Sequence, residues 1–206
     1  LGVSNGTDAL ILALKEIDIK LGDEVITTSH TAFATIAAIR EVGAIPVFVD
    51  IKEDDFTIDT KHLKKKINKK TKAIIVVHIY GNPADILTVQ KIAKKKKIIL
   101  IEDCAQSHGA EYNKKKVGTF GDFSCFSFYP TKNLSTFGDA GLVSTNNYKM
   151  FNRLKLTREY GWVKKNLSVR DGYNKRLDEL HAAILNVKLS YLDMFNKKRI
   201  LIANKF

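Results

Sequence analysis

The chain has 206 residues, 45% of them hydrophobic and 27% charged, which suits one well-buried core and excludes a disordered or collagen-like chain. A formal net charge of +12 raises the question of nucleic acid. The lysines argue against it by position: they fall in runs at Lys64 to Lys66, Lys69 to Lys72, Lys94 to Lys97 and Lys114 to Lys116, at helix ends and in turns, with no arginine-aromatic interleaving or helix-turn-helix pattern. No apolar run approaches membrane-spanning length and no charged-then-apolar leader is visible, so a cytoplasmic protein without membrane contact is expected. Cys104 and Cys125 lack zinc-like spacing and are expected as buried free thiols. Leu1 opens on what reads as the interior of a motif, and Lys205-Phe206 closes inside a polar, helix-like segment. The 206 residues are therefore expected to be one globular domain of a longer protein.

In chain order, Leu1 to Asp8 is a run of small and polar residues ahead of an amphipathic helix over Ala9 to Leu21, apolar at Leu10, Ala13, Leu14, Ile17 and Leu21. The free N–H groups at that start, with the Thr7 hydroxyl, form an anion site; capping by Asn5 or Thr7 explains the same residues without a ligand. A strand over Glu24 to Thr28, an apolar segment over Ala32 to Val42 and a strand over Pro46 to Asp50 form a parallel crossover unit. The pattern recurs: a polar helix over Thr60 to Ile67, a strand over Ala73 to Val77, a turn at Gly81-Asn82-Pro83, a helix over Ala84 to Lys96, and a strand over Ile98 to Ile101. Near-continuous Val/Ile strands predict an α/β fold, a largely parallel sheet with helices on both faces.

That last strand delivers Glu102 and Asp103 to its carboxyl end, where ligands bind in open α/β sheets. Asp103 there could hold a proton on a heterocyclic nitrogen through a charge-assisted bond, whereas Glu102 reads as a cap or loop residue. His78 and His108 read as hydrogen-bonded structural histidines. Next comes an aromatic-rich strand over Phe123 to Tyr129, stopped by Pro130. Lys132 follows on a loop, and a second strand runs over Leu142 to Ser144. A lysine held between buried strands can be desolvated into a nucleophilic, Schiff-base amine; the other reading is an ordinary solvated loop lysine. A helix over Asn147 to Tyr160 follows. A further helix opens after Tyr173-Asn174-Lys175-Arg176 and continues through Leu185, Leu189 and Leu192, with Asp178 and Glu179 in its first turn to suit the helix dipole. That leaves Asn174 and Arg176 unexplained.

A lysine on a loop, an aspartate at a strand end and a Gly-Thr helix start are together the parts a pyridoxal phosphate enzyme needs. From Leu1 to Phe206 the chain resembles the DegT/StrS family of sugar-nucleotide aminotransferases, fold type I pyridoxal-phosphate enzymes. Five segments carry the resemblance in the family's order: Ser4 to Leu10, Gly22 to Thr27, Ile101 to Gln106, Phe126 to Leu134 and Gly172 to Leu180. It implies that Lys132 forms the Schiff base and Asp103 pairs with the pyridine nitrogen. Gln106 would meet the 3-hydroxyl, Gly6, Thr7 and Ser127 would hold the phosphate, and Asn174 would reach the phosphate in a partner subunit. It further implies a homodimer with its sites at the interface, and residues 1–206 as the large, catalytic domain without its N-terminal segment and smaller C-terminal domain.

Ser29 to Ala32, Ile79 to Asp85 and Glu102 to Gly109 look most like the branch that aminates dTDP-3-keto-6-deoxyhexoses, with glutamate as amino donor, for amino sugars of surface polysaccharides or glycosylated products. The alternatives are another ketosugar or keto-cyclitol, or a non-catalytic pyridoxal-phosphate-binding regulator. Many relatives carry an aromatic at the Ala32 position to stack on the cofactor ring; here Phe33 or His30 would have to serve. Lys132 speaks against the related dehydratases, in which histidine replaces the lysine.

Overall fold

Strands rich in Val and Ile on both faces need a dry environment on both sides, and here they form one central sheet. The computed structural model describes residues 1–206. Its first half contains β1 (Gly2–Val3), α1 (Gly6–Lys15), β2 (Glu24–Thr28), α2 (Phe33–Glu41), β3 (Ile45–Val49), α3 (Thr60–Lys66), β4 (Thr71–Val77) and α4 (Ile86–Lys96). Then follow β5 (Ile99–Asp103), β6 (Glu111–Tyr112), β7 (Lys115–Lys116), β8 (Phe123–Ser127) and β9 (Gly141–Ser144). The chain closes with α5 (Tyr148–Arg158), β10 (Trp162–Lys164), β11 (Leu167–Ser168), α6 (Glu179–Leu189) and α7 (Leu192–Ala203).

The central sheet has seven strands in the order β1-β9-β8-β5-β4-β2-β3. The ladders from β8 through β5, β4 and β2 to β3 are parallel, and β9 runs against both its neighbours. The expected α/β architecture is thus present. One face packs Ala73, Ile75, Ile101, Phe123 and Cys125 against Leu10, Leu12 and Leu14 of α1. The other packs Ile74, Val76 and Leu100 against Leu63, Val89 and Ile92 of α3 and α4. Each such aliphatic side chain contributes about 1.5–3 kcal/mol when fully buried. No helix is long and apolar enough to cross a membrane, and both cysteines are buried free thiols.

Several elements differ from the sequence expectation for local reasons. The first helix begins at Gly6 rather than Ala9 and ends at Lys15, because Asn5 takes the cap by accepting from the Asp8 N–H at 2.8 Å. It is buried all round from Ala9 to Leu14, since α2 and α5 cover the side away from the sheet. The long C-terminal helix breaks at Ser190-Tyr191 into α6 and α7. The lysine runs at 64–66 and 94–96 occupy the last turns of α3 and α4, where the helix dipole favours cations.

Strand β5 does the most for the site. Ile101 belongs to the core on the α1 face and Leu100 to the core on the α4 face. Successive side chains alternate across a strand, so Asp103 follows Ile101 while Glu102 follows Leu100. Glu102 is completely buried and is an anchor rather than a cap. Its carboxylate accepts the backbone N–H groups of Gly118, Phe120 and Gly121 at 2.7–2.8 Å and lies 3.1 Å from His78 Nε2. His78 Nδ1 accepts from the Ala84 N–H at 3.1 Å, so its remaining proton sits on Nε2 and points at Glu102. Burial raises the Glu102 pKa, but the His78 and backbone hydrogen bonds overcome it and hold the carboxyl below its ordinary value.

Glu102→Ala strands three N–H groups, one buried and two half-buried, and the buried His78 at once, and is expected to cost roughly 3 kcal/mol, on the order of 10 °C in Tm for a chain of this size. Thermal unfolding followed by circular dichroism measures this, and a Tm within a degree or two of the parent would refute the anchoring role.

Candidate active site

The carboxyl ends of β5 and β8 lie side by side, with Asp103 paired to Cys125, so Ser127 stands two residues further along the same edge. β9 starts there as well, pairing Gly141 with Ser127 on one side and with Val3 of β1 on the other. This brings the Asn5-Gly6-Thr7 start of α1 against β8 and β9. The approach is close: a Cβ on Gly6 would sit 2.7 Å from Ser127 Cβ, and one on Gly141 would run into the Asn5 backbone. Glycine is required at both places for space.

The result is a cleft of about 480 Å³ lined by Asn5, Gly6, Thr7, Asp8, Leu10, Ala32, Ala34, Asp103, Ala105, Ser127, Tyr129, Thr131, Lys132 and Asp139. At one end it offers the Gly6 and Thr7 N–H groups of the first turn of α1, the Asp8 N–H being taken by the Asn5 cap, and the Thr7 and Ser127 hydroxyls. This donor set, on the positive end of a helix dipole, suits a phosphate. Asp8, in the same turn, has its charge taken up by Lys175, Ser4 and Asn5.

At the other end stands Asp103, 5% exposed. Its Oδ1 accepts the Ala105 N–H at 3.1 Å, and its Oδ2 lies 2.9 Å from the Thr35 hydroxyl. Burial pushes the carboxyl above its ordinary value; the Ala105 and Thr35 hydrogen bonds and the nearby His78 and Lys132 act in the opposite sense. Lys132 is half-buried on the loop after β8 and lines the same cleft. A cation-accepting carboxylate, an amine and an anion cradle thus share one cavity.

Five of the seven expected site residues meet in the cleft: Gly6, Thr7, Asp103, Ser127 and Lys132. Gln106 and Asn174 are not among its lining residues. Gln106 Oε1 accepts from the Tyr80 N–H at 2.7 Å, holding a residue whose φ is +57°. Asn174 is exposed, in a bridge with Glu159. The structure does explain the segment around it: Ser4 N–H donates to the Lys175 carbonyl at 3.2 Å, Lys175 pairs with Asp8, and Arg176 lies 3.0 Å from Glu159. Lys175 therefore braces the start of α1, while Asn174 and Arg176 tie the segment to Glu159 at the end of α5.

Neither Phe33 nor His30 lines the cleft. Phe33 is 83% exposed, and His30 packs against Phe56 and Tyr80 instead of lining the cleft. Ala32, the extended cap residue of α2, and Ala34 in its first turn line the cleft there, while Phe33 between them faces out. Thr35, Asp8 and Asp139 are the site neighbours that sequence reasoning passed over; for Thr35, its spacing of four from Thr31 at a helix start was the available signal.

The sequence profile of the DegT/DnrJ/EryC1/StrS aminotransferase family matches residues 1–206. The chain belongs to that family. It is 50% identical over 203 residues to the dTDP-3-amino-3,6-dideoxy-alpha-D-galactopyranose transaminase of Aneurinibacillus thermoaerophilus, covering 98% of this chain and 56% of that protein. The crystal structure of S. venezuelae DesV in complex with a ketimine intermediate superposes with a TM-score of 0.97 at 42% identity, covering 100% of this chain and 55% of that one. The structure of ntda from Bacillus subtilis, solved with bound cofactor PMP, gives a TM-score of 0.94 at 32% identity, with 100% of this chain and 47% of that one covered. The chain spans about half the length of the curated relatives it matches. The family resemblance read from five sequence segments is therefore borne out.

His108 departs from expectation: both its ring nitrogens lack a hydrogen-bond partner, and the ring packs between Phe126 and Phe128. The Ser127 backbone is close enough to favour its charge but falls outside hydrogen-bond geometry. Burial, opposed by Ser127 and helped by the Lys132 charge, depresses the imidazole from 6.5 to about 4. Below pH 6.5 the unfolded chain takes up a proton that the native state refuses until about pH 4. Stability contributed by the neutral ring is thus complete above the unfolded value and is lost across that window, at most by roughly 3 kcal/mol. His108→Leu, which leaves no orphaned nitrogen, should flatten the fall in urea-unfolding stability between about pH 7 and about pH 5. An unchanged slope would show that this ring does not govern it.

Proposed function

We propose that the protein is a pyridoxal-phosphate-dependent aminotransferase that moves an amino group from glutamate to a nucleotide-linked ketosugar, in the class of dTDP-3-keto-6-deoxyhexoses. The observation that carries this reading is the single cleft in which Lys132, Asp103 and the Gly6, Thr7 and Ser127 donors stand together. The substrate class is supported by the half-identical relative that acts on a dTDP-3-amino sugar. Residues 1–206 are read as the cofactor-binding large domain of a cytoplasmic homodimer, completed by a preceding segment and a smaller C-terminal domain. The exposure of Asn174 suits a role across a subunit interface at the phosphate of the partner's cofactor, and Gln106 is assigned to the 3-hydroxyl.

Pyridoxal phosphate, when bound, supplies an aldehyde that captures amines and a ring that accepts the electrons released at the adjacent carbon. The chain supplies the rest. The first turn of α1 and the Thr7 and Ser127 hydroxyls bind the phosphate dianion, fixing one end. The Asp103 carboxylate holds a proton on the ring nitrogen, in a buried setting where a charge-assisted bond is strong. Lys132 is the amine in the cleft that would hold the aldehyde, and it would carry a proton to and from the substrate carbon as general base and acid. The Ala32 and Ala34 wall keeps that face apolar.

The protein incubated with glutamate and a panel of dTDP-ketosugars should yield an aminated sugar identifiable by mass spectrometry and NMR. Lys132→Ala should trap no cofactor with borohydride and lose at least about 10²-fold in rate; Asp103→Ala should lose as much while still binding some cofactor. Parent-like turnover in the Asp103 variant would remove that residue from its role. Gly6→Ala, which forces α1 off Ser127, should weaken pyridoxal phosphate binding in an equilibrium titration while leaving Lys132 chemistry intact in the fraction that binds. An unaltered dissociation constant would place the phosphate elsewhere.

A further inference from the structure

A line of oxygens joins the start of α2 to the carboxyl end of β5. Thr31 Oγ1 lies 2.8 Å from Thr35 Oγ1, and Thr35 Oγ1 lies 2.9 Å from Asp103 Oδ2. Thr35 is fully buried. An ionised carboxylate can only accept, so the single hydroxyl proton of Thr35 must go to Asp103; Thr35 must then accept from Thr31. The direction of the relay is therefore fixed by chemistry, from Thr31 through Thr35 to Asp103. The second carboxylate oxygen is held from a different element, by the Ala105 N–H at 3.1 Å. Gripped at both oxygens, the carboxylate cannot turn about its terminal bond without breaking a hydrogen bond on each side. Each oxygen keeps accepting capacity for the cleft that Asp103 lines. In a site of low dielectric each hydroxyl polarises the next, so the relay delivers more to the carboxylate than an isolated threonine would.

We propose that Thr35, backed by Thr31, is the positioning residue of Asp103: the two-hydroxyl relay sets which way the carboxylate faces and sustains its charge against burial. This rests on the reading of Asp103 as the partner of the cofactor's ring nitrogen. The titratable groups that face Asp103 are His78 after β4, Lys132 after β8, and the Cys104 and Cys125 thiols; the hydroxyl of Thr35 hydrogen-bonds Thr31 and Asp103.

The test begins with the intact protein freed of cofactor and labelled with carboxyl-¹³C aspartate, in which the Asp103 signal is the one missing from an Asp103→Asn sample. Thr35→Val should move its titration midpoint up by about one pH unit or more, the effect expected on removing a hydrogen bond to a charged group. Thr35→Ser should restore the parent midpoint, and Thr31→Val should move it in the same direction by less. In a parallel titration the dissociation constant for pyridoxal phosphate should rise in Thr35→Val and return in Thr35→Ser. A midpoint unmoved in Thr35→Val overturns the relay; should that variant not fold, a midpoint unmoved in Thr31→Val overturns it instead. Failure of every protein, parent included, to bind pyridoxal phosphate would remove the cofactor reading, and the cofactor-free NMR titration would still decide the relay.

Discussion

The site depends on the alternation of side chains along β5. Two adjacent carboxylates leave the strand on opposite faces. Glu102 goes into the α4 side, where three backbone N–H groups and His78 consume its accepting capacity and fix the 118–121 loop. Asp103 goes to the α1 side, where only two protein donors meet it and a cleft takes what remains. A slip of one residue in the β5 register would exchange them, burying the reactive carboxylate in a structural cage and aiming the anchor at the cleft.

The other end of the cleft is built by close approach of backbones. β1 is only two residues long, yet its pairing to β9 sets where α1 begins. Gly6 and Gly141 let the start of α1 lie against β8 and β9, and a side chain at either would wedge the cradle open. Lys175 braces the same turn from a segment far along the chain, by pairing with Asp8, and Arg176 ties that segment to Glu159 at the end of α5. The helix dipole and unpaired N–H groups are generic to any helix start; what makes this one specific is the hydroxyl of Ser127 delivered by the neighbouring strand.

Charge is handled by burial and local donors rather than by the chain's overall excess of lysine. The site's aspartate pays a desolvation penalty that its hydrogen bonds and the nearby Lys132 partly offset. His108, on the loop that leaves β5, is helped only by the Ser127 backbone, which burial and the Lys132 charge outweigh, and it is kept neutral between two phenylalanines. The two residues show how the same low dielectric either readies a group for chemistry or silences it, depending on whether donors are supplied.

The sequence by itself determined the α/β class, the parallel sheet and four residues of the cleft, Gly6, Thr7, Asp103 and Lys132, because these follow from short-range signals: strand composition, a glycine-bearing helix start, a carboxylate after an aliphatic run and a lysine after Pro130; Ser127 came from the family resemblance alone. Family membership was equally legible, since the matching segments are contiguous. Only the tertiary structure decided the rest. It placed Phe33 outward and two alanines inward, left His108 without hydrogen bonds, made Glu102 an anchor, and joined Thr31, Thr35 and Asp103. Each of those outcomes depends on which residues meet across distant parts of the chain, where helix phase, strand face and loop closure combine, and no local pattern records that combination.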